Sequence, residues 1–116
     1  MKRIFSVGLS LTLLIALPAL AAEVKVKNES SWNINEVYFA PSSETEWGQD
    51  HLGEEVLMSG MTLTLTGVTA GKWDVRLVDE EQDVCVVKEV KIKTSETWTI
   101  TDDDLLGCQA ATPEEE

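Results

Sequence analysis

Hydrophobic and polar residues alternate with period two along most of this chain, in short runs separated by turn residues. Val24 and Val26 alternate with Lys25 and Lys27, which predicts a first strand with its valines on one face, ended by Asn28-Glu29-Ser30-Ser31. Ile34 to Ala40 is rich in strand formers, but its parity slips between Ile34 and Val37. A bulge is therefore expected near Asn35-Glu36, and Pro41 ends the run. A long connection, Ser42 to Gly53, is followed by a short apolar run from Val56 to Met58.

Met61, Leu63 and Leu65 alternate with Thr62, Thr64 and Thr66, predicting a strand with one buried face, turned by Gly67 to Gly71. Trp73, Val75 and Leu77 alternate with Asp74, Arg76 and Val78. After the acidic turn Asp79 to Asp83, Val84, Val86, Val90 and Ile92 are expected to share a face, with Lys88 marking a sheet edge or a bend. Trp98 and Ile100 are expected to face inward on a last strand. Asp102-Asp103-Asp104 suit the cap of a short helical turn ending near Gly107, because early carboxylates accept unpaired amide protons. Ala110 to Glu116 reads as a disordered acidic tail.

No segment carries a helical stripe longer than about two turns. Six or seven short strands with hairpin-length links predict an all-β fold, an antiparallel β-sandwich, with a small closed barrel as the alternative. The domain is expected over residues 22–109, with no internal repeat.

The N-terminus changes the picture of where this domain works. Lys2 and Arg3 precede an uncharged apolar stretch from Ile4 to Leu20, and Pro18 stands just before the small residues Ala19-Leu20-Ala21. That order is expected of a signal peptide over residues 1–21, with an uncleaved membrane anchor as the other reading. No cysteine stands immediately after the cleavage point, where Ala22 lies, which disfavours a lipid anchor. The expected mature product has 95 of the 116 residues and is periplasmic or secreted. It loses two of the 9 basic residues and keeps all 21 acidic ones, for a formal charge of −14. Such a surface repels nucleic acid and anionic membranes and favours basic partners. Cys85 and Cys108 are the only cysteines. In an oxidising compartment they read as a structural disulfide, since Cys-x-x-Cys spacing and a neighbouring histidine are both missing.

Trp47-Gly48-Gln49-Asp50-His51-Leu52-Gly53, then Trp73-Asp74-Val75-Arg76-Leu77-Val78-Asp79, then a cysteine and an acidic turn with a second cysteine, resemble a family of small exported bacterial β-sandwich proteins of uncharacterised function. The resemblance covers about Val26 to Cys108 and implies a single sandwich domain behind a signal peptide. It implies no chemistry.

Catalysis finds little in this sequence. His51 is the only histidine, and no third group is in evidence to orient a nucleophile–base pair. One histidine and two paired cysteines are too few ligands for zinc, and no cofactor is expected. Calcium is the weak metal alternative: Asp79, Asp83, Asp102 and Asp104 supply hard oxygens, without the spacing of a calcium loop. The connection Ser42 to Gly53 is the leading functional candidate, because long loops in compact domains often carry contacts. There Trp47 with Glu44, Glu46 and Asp50 would receive a basic protein surface or stack on a saccharide. The competing expectation has Trp47 folded back on the domain and Asp50 capping a local turn. The resulting expectation is a non-enzymatic interaction module, with a calcium-dependent structural or adhesion domain as the alternative.

Overall fold

The computed structural model describes residues 21–113, so all of the expected signal peptide except Ala21 lies outside the described residues. The chain forms β1 (Ala21–Asn28), β2 (Ile34–Pro41), β3 (Thr62–Thr69), β4 (Gly71–Asp79), β5 (Val84–Ile92), β6 (Glu96–Ile100) and α1 (Asp102–Ala111). The strands make two three-stranded sheets, ordered β3-β1-β6 and β2-β4-β5. The fold is a β-sandwich, and the strands do not close into a barrel. Its pairs are antiparallel except one: β6 runs parallel to β1, with Val26 opposite Trp98.

β1 lies at the centre of its sheet and follows the alternation closely, with Val24, Val26 and Asn28 inward and fully buried. Buried Asn28 is satisfied rather than orphaned: its Nδ2 donates to the carbonyls of Trp32 and Leu57 at 2.8 and 2.9 Å, and its Oδ1 accepts from the Ser30 amide and hydroxyl. β4 is the central strand of the other sheet, and Val75 and Leu77 face β1 across a core completed by Ile34, Val37, Phe39 and Ile92. Trp73 stacks on Phe39 at 4.5 Å between ring centroids, while Trp98 meets the same ring edge-on at 5.7 Å. Both tryptophans are half-buried.

Three bulges correct the simple alternation. The expected slip between Ile34 and Glu36 is present in the β2–β4 register. In β3 the strand does not turn at Gly67 but continues to Thr69. Ala22 pairs with Val68 and Val24 with Leu65, so β3 carries one extra residue, which Gly67 absorbs at φ 69°. The bulge puts Leu65 and Val68 inward together, whereas Met61, expected on the buried face, is 42% exposed. In β5 the extra residue lies at Lys88-Glu89: Trp73 pairs with Val90 but Val75 with Val87. The face expected to hold Val84 and Val86 is replaced by Cys85 and Val87 on the inner side. Lys88 therefore marks both features anticipated for it, a bend and a sheet edge.

α1 is longer than expected. Its N-cap is Thr101, whose hydroxyl accepts from the Asp104 amide while the Asp104 carboxylate accepts from the Thr101 amide, both at 3.2 Å. The helix runs past Gly107 through Ala110 and Ala111. At its C-cap the Thr112 hydroxyl accepts from the Val86 amide at 2.9 Å. Residues 110–112 thus belong to the folded domain, and residues 114–116 of the expected tail lie outside the described residues. The Cys85–Cys108 disulfide is formed, with Cα atoms 5.2 Å apart, and fastens α1 to β5. Among the described residues no helix is long and apolar enough to cross a membrane.

Candidate functional site

The connection after β2 has a structural role that goes beyond the local turn cap expected of Asp50. β2 is an edge strand, and an uncovered edge invites pairing with other chains. Here the connection covers it. Asp50 Oδ1 accepts from the amides of Val37 and Leu52, both at 2.9 Å, and the His51 amide donates to the Val37 carbonyl at 2.8 Å. Leu57 exchanges two hydrogen bonds with Ile34, at 3.0 and 2.9 Å. Leu52 and Leu57 are both buried by this closure. Asp50, a partner-binding candidate from the sequence, is thereby spent on holding the loop.

The other candidates of that loop do come together. Glu44, Glu46 and Trp47 line a recess of about 80 Å³ with Ala40, Thr45, Asp74 and Lys88. Glu44 and Glu46 are exposed, and Trp47 is half-buried, tilted against Tyr38 with centroids 6.5 Å apart. Tyr38 donates its hydroxyl to Glu36 at 2.7 Å, and Arg76 lies 5.1 Å over its ring. That hydrogen bond, then burial, then the charges of Glu36 and Asp50 push the phenol above its ordinary pKa, against the opposing pull of Arg76. Asp74 at the recess floor is 8% exposed. Burial alone would raise its carboxyl, but the Glu89 amide at 2.9 Å, the Ser42 hydroxyl at 2.7 Å and the Lys88 ammonium at 3.8 Å outweigh it and hold it below the usual carboxylate value. Asp74 is thus the anchor of the β5 bulge.

The acidic turns are committed to the fold. Asp79 is 2% exposed, and one of its oxygens accepts from the amides of Glu81 and Asp83 at 2.8 and 3.0 Å. Its second oxygen accepts from Gln109 Nε2 at 2.8 Å, joining the β4–β5 turn to α1. Asp102 accepts from the amide and hydroxyl of Ser31 at 2.5 and 2.9 Å, and Asp104 closes the capping box. Asp79, Asp102 and Asp104 are therefore dispersed over separate tasks, and Asp83 joins its turn through its backbone. Among the described residues no group of three or more His, Cys, Asp and Glu side chains is arranged to hold a metal ion.

Another opening lies elsewhere, where the edge strands β5 and β6 face each other across the two sheets. It is an apolar slot of about 280 Å³. Val26, Val75 and Leu77 form its floor. One wall is β5, through Cys85, Val87 and Val90, and the other is β6, through Trp98 and Ile100. Leu105 and Cys108 of α1 close one end, where Asp104 is the single ionisable residue of the lining. Val87 is 43% exposed at the mouth. The size is about twice that of an engineered apolar cavity of roughly 150 Å³ that binds benzene, and near the lower limit of small-molecule pockets.

Sequence reasoning missed this slot. Its one available signal was the apolar quartet Val84-Cys85-Val86-Val87, more hydrophobic than a strand with one wet face requires. No family model, curated protein or solved structure matches the chain.

Proposed function

We propose that this chain is a non-enzymatic binding module, periplasmic or secreted, that takes a small apolar ligand into the slot between β5 and β6. The observation that carries this reading is the slot itself: continuous apolar walls opening to solvent between the two sheets, with a disulfide and a capped helix fixing one end. The lining offers no nucleophile–base pair, and its two cysteines are joined. Export, suggested by residues 1–21, supplies the oxidising compartment in which this disulfide persists. The resemblance to small exported bacterial sandwich proteins belongs to the same proposal.

The β5 edge also argues for a small ligand over an added strand. The Val86 amide is occupied by Thr112, and the bulge at Lys88-Glu89 interrupts the edge beyond it, both devices that blunt strand addition. The experiment uses N-phenylnaphthylamine, an uncharged fluorophore. It should bind the wild-type protein saturably, at one site, and quench Trp98. Val87→Trp should fill the mouth and abolish binding without loss of stability. No saturable binding by the wild type, or equal binding by Val87→Trp, would refute the slot as a ligand site.

A second reading rests on the recess at Glu44, Glu46 and Trp47. Two exposed carboxylates beside an indole suit a lysine or arginine side chain of a basic partner. Glu44→Gln with Glu46→Gln should weaken such a partner and leave the fluorophore untouched.

A further inference from the structure

We infer that the ligand of the slot is an amphiphile with a cationic head, a protonated amine, seated at Asp104 with its apolar tail between β5 and β6; this inference rests on the slot reading. The lining is apolar except at one point, and that point carries a carboxylate. Asp104 Oδ2 accepts the long 3.2 Å bond from the Thr101 amide, and carboxylates accept several hydrogen bonds at once, so capacity is left for a donor. Asp102 and Asp103 stand on the same helical turn, and the last turn of α1 holds no basic residue. Three carboxylates outweigh the partial positive charge of a helix N-terminus, about half an elementary charge. The field at this end of the slot is negative, as is the molecule as a whole, with 21 acidic against 9 basic residues.

The lysines of β5 and of the turn after it do not reverse this. Lys88 is paired with Asp74 at 3.8 Å, Lys91 and Lys93 lie beyond Val90 toward the opposite end, and none of the three lines the slot. A cationic head meets a complementary charge here, at the exposed carboxylate of Asp104. An anionic head would place like charges together, and a neutral hydroxyl would gain one ordinary hydrogen bond.

Octylamine, octanol and octanoate share one tail and differ in the head, and displacement of bound N-phenylnaphthylamine reads the binding of each. The amine should bind about tenfold tighter than the alcohol, and the carboxylate more weakly than either. Asp104→Asn should bring the amine to the level of the alcohol while leaving alcohol binding within about twofold. Asp103→Asn, on the same turn but outside the slot lining, should preserve the preference. Equal binding of amine and alcohol by the wild type, or an equal loss in Asp103→Asn, would overturn the cationic head while leaving the slot standing. Displacement by none of the three would overturn the slot reading as well. The wild-type series decides the matter even if Asp104→Asn fails to fold.

Discussion

Reducing the Cys85–Cys108 bridge should weaken the domain by about 3 kcal/mol, and the structure says through which state the loss acts. The bridge spans 23 residues. For a loop of that length the chain-entropy model removes unfolded-state freedom worth about 3 kcal/mol. A domain of this size is stable by about 5–15 kcal/mol, so the loss is large, near a hundredfold in the folded-to-unfolded ratio. The native state keeps other ties between α1 and the sandwich. Leu105 is buried in the core, Gln109 holds Asp79 at 2.8 Å, and Thr112 holds Val86 at 2.9 Å. α1 should therefore remain docked after reduction, and the effect should arise in the unfolded chain. Urea unfolding of oxidised and reduced protein, followed by circular dichroism, separates the contributions. The reduced protein should show a lower midpoint, a steeper denaturant dependence from its more expanded unfolded state, and an unchanged native helix signal. A loss under about 1 kcal/mol, or a helix signal that disappears before the main transition, would refute this account.

Two further outcomes follow from single side chains. The Asp74 carboxyl is held below its ordinary value, so it contributes stability that is complete above about pH 4 and is lost as pH falls through the folded value. Asp74→Asn should cost about 1–3 kcal/mol at neutral pH and flatten the acid limb of stability against pH; an unchanged acid limb would show that the carboxylate does not anchor the bulge. Among the tryptophans, Trp73→Ala and Trp98→Ala should each cost about 2–4 kcal/mol, because each removes a ring contact from Phe39. Trp47→Ala, whose ring meets Tyr38 at a tilt, should cost about 1 kcal/mol by denaturant midpoint, and a loss equal to that of Trp98→Ala would make it a core plug.

The strands were legible where one face is wet. Lys25 and Lys27 leave only one way to place Val24 and Val26, and the slip from Ile34 to Val37 leaves one place for a bulge. Legibility fails where both faces are apolar or where glycine has two meanings. Val84-Cys85-Val86-Val87 fits either parity, and Val90 and Ile92 agree with Val84 and Val86 only if no extra residue intervenes. One does, at Lys88-Glu89. Gly67, read as the start of a turn, instead absorbs the extra residue of β3, and the chain passes between sheets later, through Ala70 alone. The parallel pairing of β6 with β1 had no local signal, because parallel and antiparallel strands share the same alternation.

The candidate site was hidden for a related reason: it belongs to no single segment. Acidic residues and a tryptophan in a long loop are visible in sequence, and they drew attention to Ser42–Gly53. There the structure spends Asp50 on covering the β2 edge and leaves Glu44, Glu46 and Trp47 around a small recess. The slot needs β1, β4, β5, β6 and α1 together. It also depends on the β5 bulge, since Val87 and Val90, three residues apart, can both line one wall only if a residue between them is extra. Glu89 adopts φ 58° there, a conformation that L residues other than asparagine and aspartate rarely enter, and its amide is held by Asp74. Backbone strain maintained by a buried carboxylate is more than a sandwich edge requires, since Lys88 alone would blunt it. What the strain provides is the second valine of the wall. The same carboxylate floors the recess of Glu44, Glu46 and Trp47 on the other side of the strand, so the two candidate surfaces share one anchor.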